Sequence, residues 1–168
     1  MLYILPLQYC SLSMTCKVPE SVILLCCFFY FLWMLLDNID GKQARRTRNS
    51  TPLGLIFDHQ VDAVSVTITT TCVGIVALFG NSIHSLMIWE IGAIPFYLST
   101  WEELYVGVQN FPAINGPSDG CLLIGVLLFL FGLWTPEYFQ SNSIYGLSYM
   151  NAMYYFFIVG SICVGIYR

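Results

Sequence analysis

Charged side chains are scarce in this chain, and their scarcity excludes several classes of protein. Asp, Glu, Lys and Arg make up 10% of the 168 residues, against about 25% in an ordinary soluble domain. Only six residues are Lys or Arg, so the chain lacks the basic surface that a nucleic-acid partner would need. It also lacks internal repeats, low-complexity tracts and polar linkers. The sequence therefore predicts neither a soluble globular protein nor a nucleic-acid-binding one.

The cysteines show no organising pattern. The chain has seven of them, with neither the spacing of metal ligands nor the dense pairing of a disulfide scaffold. Most fall within apolar runs, where a thiol behaves as a small hydrophobic side chain. We therefore expect no zinc cluster and no disulfide framework.

Apolar residues are what the chain has in abundance. Hydrophobic residues make up 57% of it, aromatic residues 16%, and the mean hydropathy is +0.71. Because a membrane span needs about 20 mostly apolar residues, the sequence contains five candidates, at 19–40, 58–79, 84–104, 119–135 and 148–167. We predict an all-α, polytopic transmembrane helix bundle that forms one membrane-embedded domain over 1–168. Residues 1–16 are expected to be the remnant of a truncated span, and both ends to be incomplete.

Most basic residues lie in one predicted loop. Four of the six are Lys42, Arg45, Arg46 and Arg48, between the first two complete spans. Because loops rich in Lys and Arg stay on the cytoplasmic side, this loop is predicted to face the cytoplasm. Alternating crossings then put 105–118 on the same side, and 80–84 and 136–147 on the opposite one.

Four aspartates stand beside the longest apolar run, which extends from Val22 to Leu36: Asp37, Asp40, Asp58 and Asp62. Spacings of three and four residues put each pair on one helix face, with side chains about 5–6 Å apart. A plainer interpretation is that these acids only end one helix and start the next, where the helix dipole favours a carboxylate. It does not explain Asp62, one turn deeper, where an intramembrane acid usually marks a functional site. We predict an oxygen cage for a cation.

The residues around the acids suggest what that cation accompanies. Hard oxygen ligands suit Mg²⁺ or Mn²⁺, which commonly hold the phosphates of a substrate. Gly41, Ala44 and Gly54 have little or no side chain and let a flat ligand approach the backbone. Arg45 can form a forked contact with a phosphate oxygen. The pattern indicates a site for an anionic phosphate ester at the cytoplasmic membrane surface.

The same residues resemble a known family. The pattern D-x-x-D-G-x-x-A-R-x(8)-G-x-x-x-D-x-x-x-D, residues 37–62, matches the signature of the CDP-alcohol phosphotransferases at every fixed position. Two further parts of the sequence resemble the choline/ethanolaminephosphotransferase branch. They are the residues around the signature, at 40–47, 52–54 and 57–59, and the segment 96–103. With 116–120 included, the resemblance covers most of residues 20–135, and the chain looks like a partial-length member.

The resemblance implies a reaction. Phosphocholine or phosphoethanolamine would pass from CDP-choline or CDP-ethanolamine to diacylglycerol, giving phosphatidylcholine or phosphatidylethanolamine and CMP. It implies that two divalent ions bind the four aspartates, and that Gly41, Ala44, Arg45 and Gly54 seat the CDP. It also implies a bilayer of the endoplasmic reticulum or Golgi, and a homodimer is among the expected partners. A truncated, non-catalytic protein that keeps metal or nucleotide binding, and an enzyme with another acceptor alcohol, stay as alternatives.

Two residues are candidates for the general base. The family at large often assigns proton removal to the last aspartate, here Asp62, whereas His59 has a near-neutral intrinsic pKa. Glu102, at the cytoplasmic end of the 84–104 span, is predicted to orient His59; the alternative is that it is a solvated charge at a helix end.

Two further features bear on substrate choice. Tyr97, Trp101 and Tyr105 recur every four residues and are candidates for a choline cage, although interfacial belts use the same residues. Leu55 and Gln60 replace the Glu and Gly usual in close relatives, which predicts altered efficiency or preference rather than loss of metal binding.

Overall fold

The computed structural model describes residues 6, 10, 14, 16–49, 51–107 and 116–167. Its elements are the helices α1 (Glu20–Arg46), α2 (Pro52–Val76), α3 (Ile83–Val106), α4 (Gly116–Leu133), α5 (Pro136–Ser141) and α6 (Tyr149–Tyr167), and the strands β1 (Ser143–Ile144) and β2 (Leu147–Ser148). The two short strands pair as an antiparallel hairpin. The five long helices overlap the five predicted spans, so the helical character of the fold is confirmed. Neither α5 nor the hairpin was predicted.

The signature is more helical than predicted. The first helix continues through the signature glycine to Arg46, and the second begins at Pro52, which leaves 47–51 as the connection. Thr51 caps α2 because its backbone is extended and its hydroxyl accepts a hydrogen bond from the Gly54 amide at 3.1 Å. Pro at the first helical position fixes a helix-compatible φ. A Cβ on Gly54 would lie 3.2 Å from the capping oxygen, so glycine leaves room for this cap.

The long helices pack in pairs, α1 with α4 and α2 with α3. Glycines on α4 allow the first pair to approach closely: a Cβ on Gly125 would lie 2.6 Å from the Phe31 ring, and one on Gly132 2.5 Å from Leu24. The Tyr30 hydroxyl also donates a hydrogen bond to the Cys121 carbonyl at 3.1 Å. These contacts fix the position of the α1 end that carries the first two aspartates.

The core lies where the two pairs meet. Its most deeply buried apolar side chains are Ile23, Cys26, Tyr30, Ile75, Val76, Leu128 and Phe131. Cys27 and Cys72 are buried with them, as the apolar context predicted. Cys10 and Cys16, by contrast, are joined by a disulfide that the sequence analysis did not predict.

The membrane crossings are only partly supported by helix composition. Within the described ranges, Glu20–Ala44 is the one helix long and apolar enough to cross a bilayer, and Asp119–Leu133 is apolar but shorter. Polar residues interrupt two of the other long helices: α2 carries two aspartates and a run of threonines, and α3 carries three glutamates. The five helices therefore agree with the sequence, whereas five membrane crossings remain a prediction.

Candidate metal and active site

Three of the four predicted metal ligands come together. One carboxylate oxygen from each of Asp37, Asp40 and Asp58 lies within 4.8 Å of the other two. Asp37 and Asp40 project from the last turns of α1, and Asp58 from the second turn of α2. Asp37 is half-buried, whereas the other two are exposed. These three carboxylates therefore lie together, and metal binding by the predicted quartet stays a prediction.

This cluster concentrates negative charge that no ion pair offsets among the side chains that the structure describes. Among the side chains that the structure describes, the ion pairs are Lys17 with Glu137 and His59 with Glu103, and neither includes a cluster aspartate. Two like charges about 4 Å apart repel by about 1 kcal/mol in water and about 4 kcal/mol near a protein surface. A cation would remove that cost.

The donor set fits a hard divalent ion. All three donors are carboxylate oxygens, which Mg²⁺ and Mn²⁺ prefer. Ligands about 2.1 Å from one ion lie at most about 4.2 Å apart across it. The oxygens of the cluster, within 4.8 Å of one another, need only a small side-chain adjustment to reach that geometry.

Asp62 approaches the cluster from inside the bundle. It is half-buried, lies one helical turn beyond Asp58 on α2, and lines the same cavity as Asp37 and Asp58. It is not one of the three acids whose oxygens are mutually close. The structure therefore separates the predicted quartet into a close trio and a fourth carboxylate that faces the same space.

The cavity extends from the acids into the helix bundle. Its volume is about 370 Å³. Along α2 the cavity wall begins with Asp58, His59 and Asp62, continues with Ser65 and Thr69, and ends in apolar residues. Side chains of the other helices complete the wall: Trp33, Ile88, Pro95, Leu127, Phe131 and Met150. One end is thus anionic and the other apolar. A ligand that fills it needs a polar group at the acids and an apolar part beyond.

A histidine and a glutamate meet beside the cluster. His59 Nε2 lies 3.3 Å from Glu103 Oε2, and both side chains are about four-fifths buried. The two atoms lie within ion-pair distance, although their geometry does not meet that of a hydrogen bond in the described part of the chain. From the sequence we expected Glu102 to orient His59. In the structure the carboxylate that faces His59 is that of the neighbouring Glu103, and neighbours on a helix point about 100° apart.

The small residues predicted to seat a nucleotide lie next to the cluster. Gly41 and Ala44 are half-buried in the last turns of α1, and Gly54 is exposed in the first turn of α2. The Ala44 carbonyl accepts a hydrogen bond from the Asn49 amide, which turns the chain toward α2. Arg45 lies in the same helical turn, but its side chain is outside the described part of the structure.

The aromatic stripe faces away from this site. Tyr97, Trp101 and Tyr105 stack along α3 with ring centroids 5.8 Å apart at each step. All three are exposed, and none lines the cavity. Their placement favours the interfacial-belt alternative over a choline cage at the acids.

An oxygen-only anionic cluster beside a cavity with an apolar end is a class of site that suits a divalent cation next to a lipophilic ligand. The family model described as CDP-alcohol phosphatidyltransferase matches residues 2–139. The chain belongs to this family.

Curated relatives agree with that assignment. The chain is 40% identical over 112 residues to a choline/ethanolaminephosphotransferase of Arabidopsis thaliana, which covers 67% of this chain and 28% of the relative. It is 35% identical over 108 residues to one of Saccharomyces cerevisiae, covering 64% of this chain and 27% of that protein. It is 34% identical over 110 residues to a cholinephosphotransferase of Bos taurus, covering 65% and 27%. The matched part spans less than a third of each relative.

Proposed function

We propose that this chain carries the catalytic site of a choline/ethanolaminephosphotransferase. Phosphocholine or phosphoethanolamine would pass from its CDP ester to diacylglycerol, with CMP as the other product. The observation that carries the proposal is the convergence of Asp37, Asp40 and Asp58 within 4.8 Å, at the mouth of a cavity that Asp62 also lines. The names of the relatives supply the substrate class.

A membrane setting is part of the proposal. One face of α1 is apolar and exposed in the part of the chain that the structure describes, with side chains at Leu25, Phe28, Leu32, Leu35, Leu36 and Ile39. Such a surface is costly in water and suited to lipid. The basic residues that follow it support a cytoplasmic position for the cluster. We propose an internal membrane, of the endoplasmic reticulum or Golgi.

The trio would hold the metal, with Asp62 completing the coordination as one or two divalent ions bind. When bound, Mg²⁺ or Mn²⁺ supplies positive charge that neutralises a pyrophosphate and its developing leaving group. The aspartates themselves contribute position and charge. Without the ion, their net effect on an anionic nucleotide is repulsion.

The residues beside the cluster would bind the CDP group. Gly41 and Ala44 keep the end of α1 free of bulky side chains, and Gly54 does the same at the start of α2. Arg45, in the turn after Asp40 and Gly41, has the charge and planar geometry for a phosphate oxygen. Two helix ends that meet at a short connection suit a nucleotide held across them.

Proton removal would fall to His59 or Asp62. With His59 Nε2 facing Glu103, its Nδ1 lone pair is the one that can accept the proton of an attacking hydroxyl. Glu103 then fixes the ring and stabilises its charged form. Asp62 lines the same cavity one turn away and is the alternative base.

The proposal is tested with the full chain in lipid nanodiscs, supplied with diacylglycerol, Mg²⁺ or Mn²⁺, and labelled CDP-choline or CDP-ethanolamine. The expected result is labelled phosphatidylcholine or phosphatidylethanolamine that disappears in the Asp58→Asn variant. Glu20→Gln removes an exposed acid at the opposite end of α1 and serves as the matched control. Metal-dependent nucleotide binding without product would favour the non-catalytic alternative, and absence of both product and binding would refute the proposal.

A further inference from the structure

The hydroxyl groups of α2 fall into two sets. The hydroxyls of Thr67, Thr70 and Thr71 donate to carbonyls one turn back, at 3.1, 2.7 and 2.7 Å. Ser65 Oγ and Thr69 Oγ1 have no hydrogen-bond partner in the described part of the chain. These two side chains are also among the most deeply buried polar groups, at 1% and 4% exposure. Buried hydroxyls without a partner are unfavourable, so they are expected to meet a ligand or water.

Both residues line the cavity. Ser65 and Thr69 follow Asp62 by three and seven residues, which puts all three on one helix face. At 1.5 Å per residue they lie about 4.5 Å and about 10.5 Å farther along the axis than Asp62. Along the cavity wall α2 thus places, in order, an acid and two hydroxyl-bearing residues.

The cavity becomes apolar beyond the hydroxyls. Val73, Leu127, Phe131 and Met150 line that part. Its volume of about 370 Å³ suits a compact polar backbone with the first part of attached hydrocarbon chains. A matching ligand carries a small polar group at one end, hydrogen-bond acceptors a few ångströms away, and apolar chains after them.

We propose that Ser65 and Thr69 are positioning residues that donate hydrogen bonds to the ester carbonyls of diacylglycerol. Ester carbonyls accept hydrogen bonds but cannot donate them, and the O–H groups of Ser65 and Thr69 are available as donors. The free hydroxyl of the glyceride then lies toward His59 and Asp62. This inference rests on the proposed function for the role of the lipid, but it predicts binding that needs neither nucleotide nor metal.

The test measures binding without turnover. The full chain in nanodiscs is exposed to a photoactivatable diacylglycerol, with EDTA and no nucleotide, and cross-linking is quantified. Thr69→Ala and Thr69→Ser lose the same methyl group and differ only in the hydroxyl, so we expect about fivefold weaker labelling for Thr69→Ala and recovery in Thr69→Ser. Ser65→Ala should also weaken labelling about fivefold. Thr71→Val removes a hydroxyl already bonded to the Thr67 carbonyl and should change nothing.

Two competitors identify the chemistry that is recognised. An ester-linked diacylglycerol should compete better than its ether-linked analogue in the wild type, and this advantage should be about fivefold smaller in Thr69→Ala, which keeps only the Ser65 donor. A photoactivatable phosphatidylcholine, which has the same esters but no free hydroxyl, should label the cavity more weakly because its phosphate meets the acids. Equal labelling by the two lipids would overturn the assignment to diacylglycerol.

The outcomes separate this inference from the proposed function. Labelling that needs the hydroxyls, in a chain that makes no product, supports the inference and counts against the proposed function. Product formation with identical labelling of Thr69→Ala and Thr69→Ser overturns the inference alone. Absence of wild-type labelling also overturns it, and circular dichroism of each variant identifies any that fails to fold.

Discussion

The two halves of α2 have opposite surroundings. From Cys72 to Val76 every residue is buried, and this half packs against α3 and the core. From Pro52 to Asp58 every residue is exposed, and the end carries an acid cluster with no ion pair in the described side chains. One half therefore stabilises the fold, whereas the other keeps repelling charges in place. That difference favours a binding role for the acidic end over a stabilising one.

Asp58→Asn is the change with the largest expected effect. We expect transferase activity to fall at least a hundredfold, since even groups that only support metal ligands are worth about 10–100-fold. Thermal stability without metal should stay the same or rise, because one of the repelling charges is gone. Activity assays check the expected loss of turnover, and thermal unfolding of the metal-free protein checks the expected equal or higher stability. A marked loss of stability would mean that the acid has a structural role.

Gly74→Val disturbs the buried half instead. A Cβ on Gly74 would already lie 3.0 Å from Ser85 Oγ, so the branched side chain forces α2 and α3 apart. Overpacking of this kind costs about 1–3 kcal/mol, and the midpoint of thermal unfolding should fall. Gly160→Val is the control, because a Cβ there meets nothing within 4 Å. Equal midpoints for the two variants would show that this helix contact is not tight.

Glu103→Gln tests the contact with His59, which lies on α2 next to its exposed half. Loss of the charge beside His59 should lower activity about tenfold, with little change in metal binding. A tenfold loss corresponds to an increase of about 1.4 kcal/mol in the activation free energy. Glu102→Gln should have a smaller effect if Glu103 is the partner of the imidazole. Turnover by the two variants, measured with saturating metal, decides between the neighbours. Equal activities would argue against a role for this contact.

The smallest effect is expected at an ion pair remote from α2. Lys17 Nζ lies 2.9 Å from Glu137 Oε1, and this contact lowers the pKa of the Glu137 carboxyl below its ordinary value. A lowered native pKa stabilises the fold at neutral pH, and the contribution is lost as pH falls through that pKa. Because both side chains are substantially exposed, the effect should not exceed about 1 kcal/mol. Lys17→Met should therefore lower the unfolding midpoint slightly at pH 7 and not at pH 3; equal shifts at both would contradict the pairing.

The sequence was sufficient to predict the helices and the acid cluster because both depend on local spacing. Long apolar runs set the helices, and separations of three and four residues set the faces of Asp37, Asp40, Asp58 and Asp62. Features of this kind need no knowledge of how the helices pack.

Features that depend on helix packing could not be predicted in the same way. Which of Glu102 and Glu103 meets His59 depends on the rotation of α3, which is set partly by the close approach of Gly92 to Thr70. Ser65 and Thr69 look like any other hydroxyls of a threonine-rich helix until the cavity beside them is known. The pairing of Cys10 with Cys16 likewise depends on three-dimensional proximity.

The most direct test of the acid cluster is Mn²⁺ binding to the full chain in nanodiscs, followed by the electron paramagnetic resonance signal of the remaining aqueous ion. We predict saturable binding in the wild type and in Glu20→Gln, and its loss in the Asp37→Asn, Asp58→Asn double variant. Wild-type binding in the double variant, or none in the wild type, would contradict the assignment of these carboxylates to a metal.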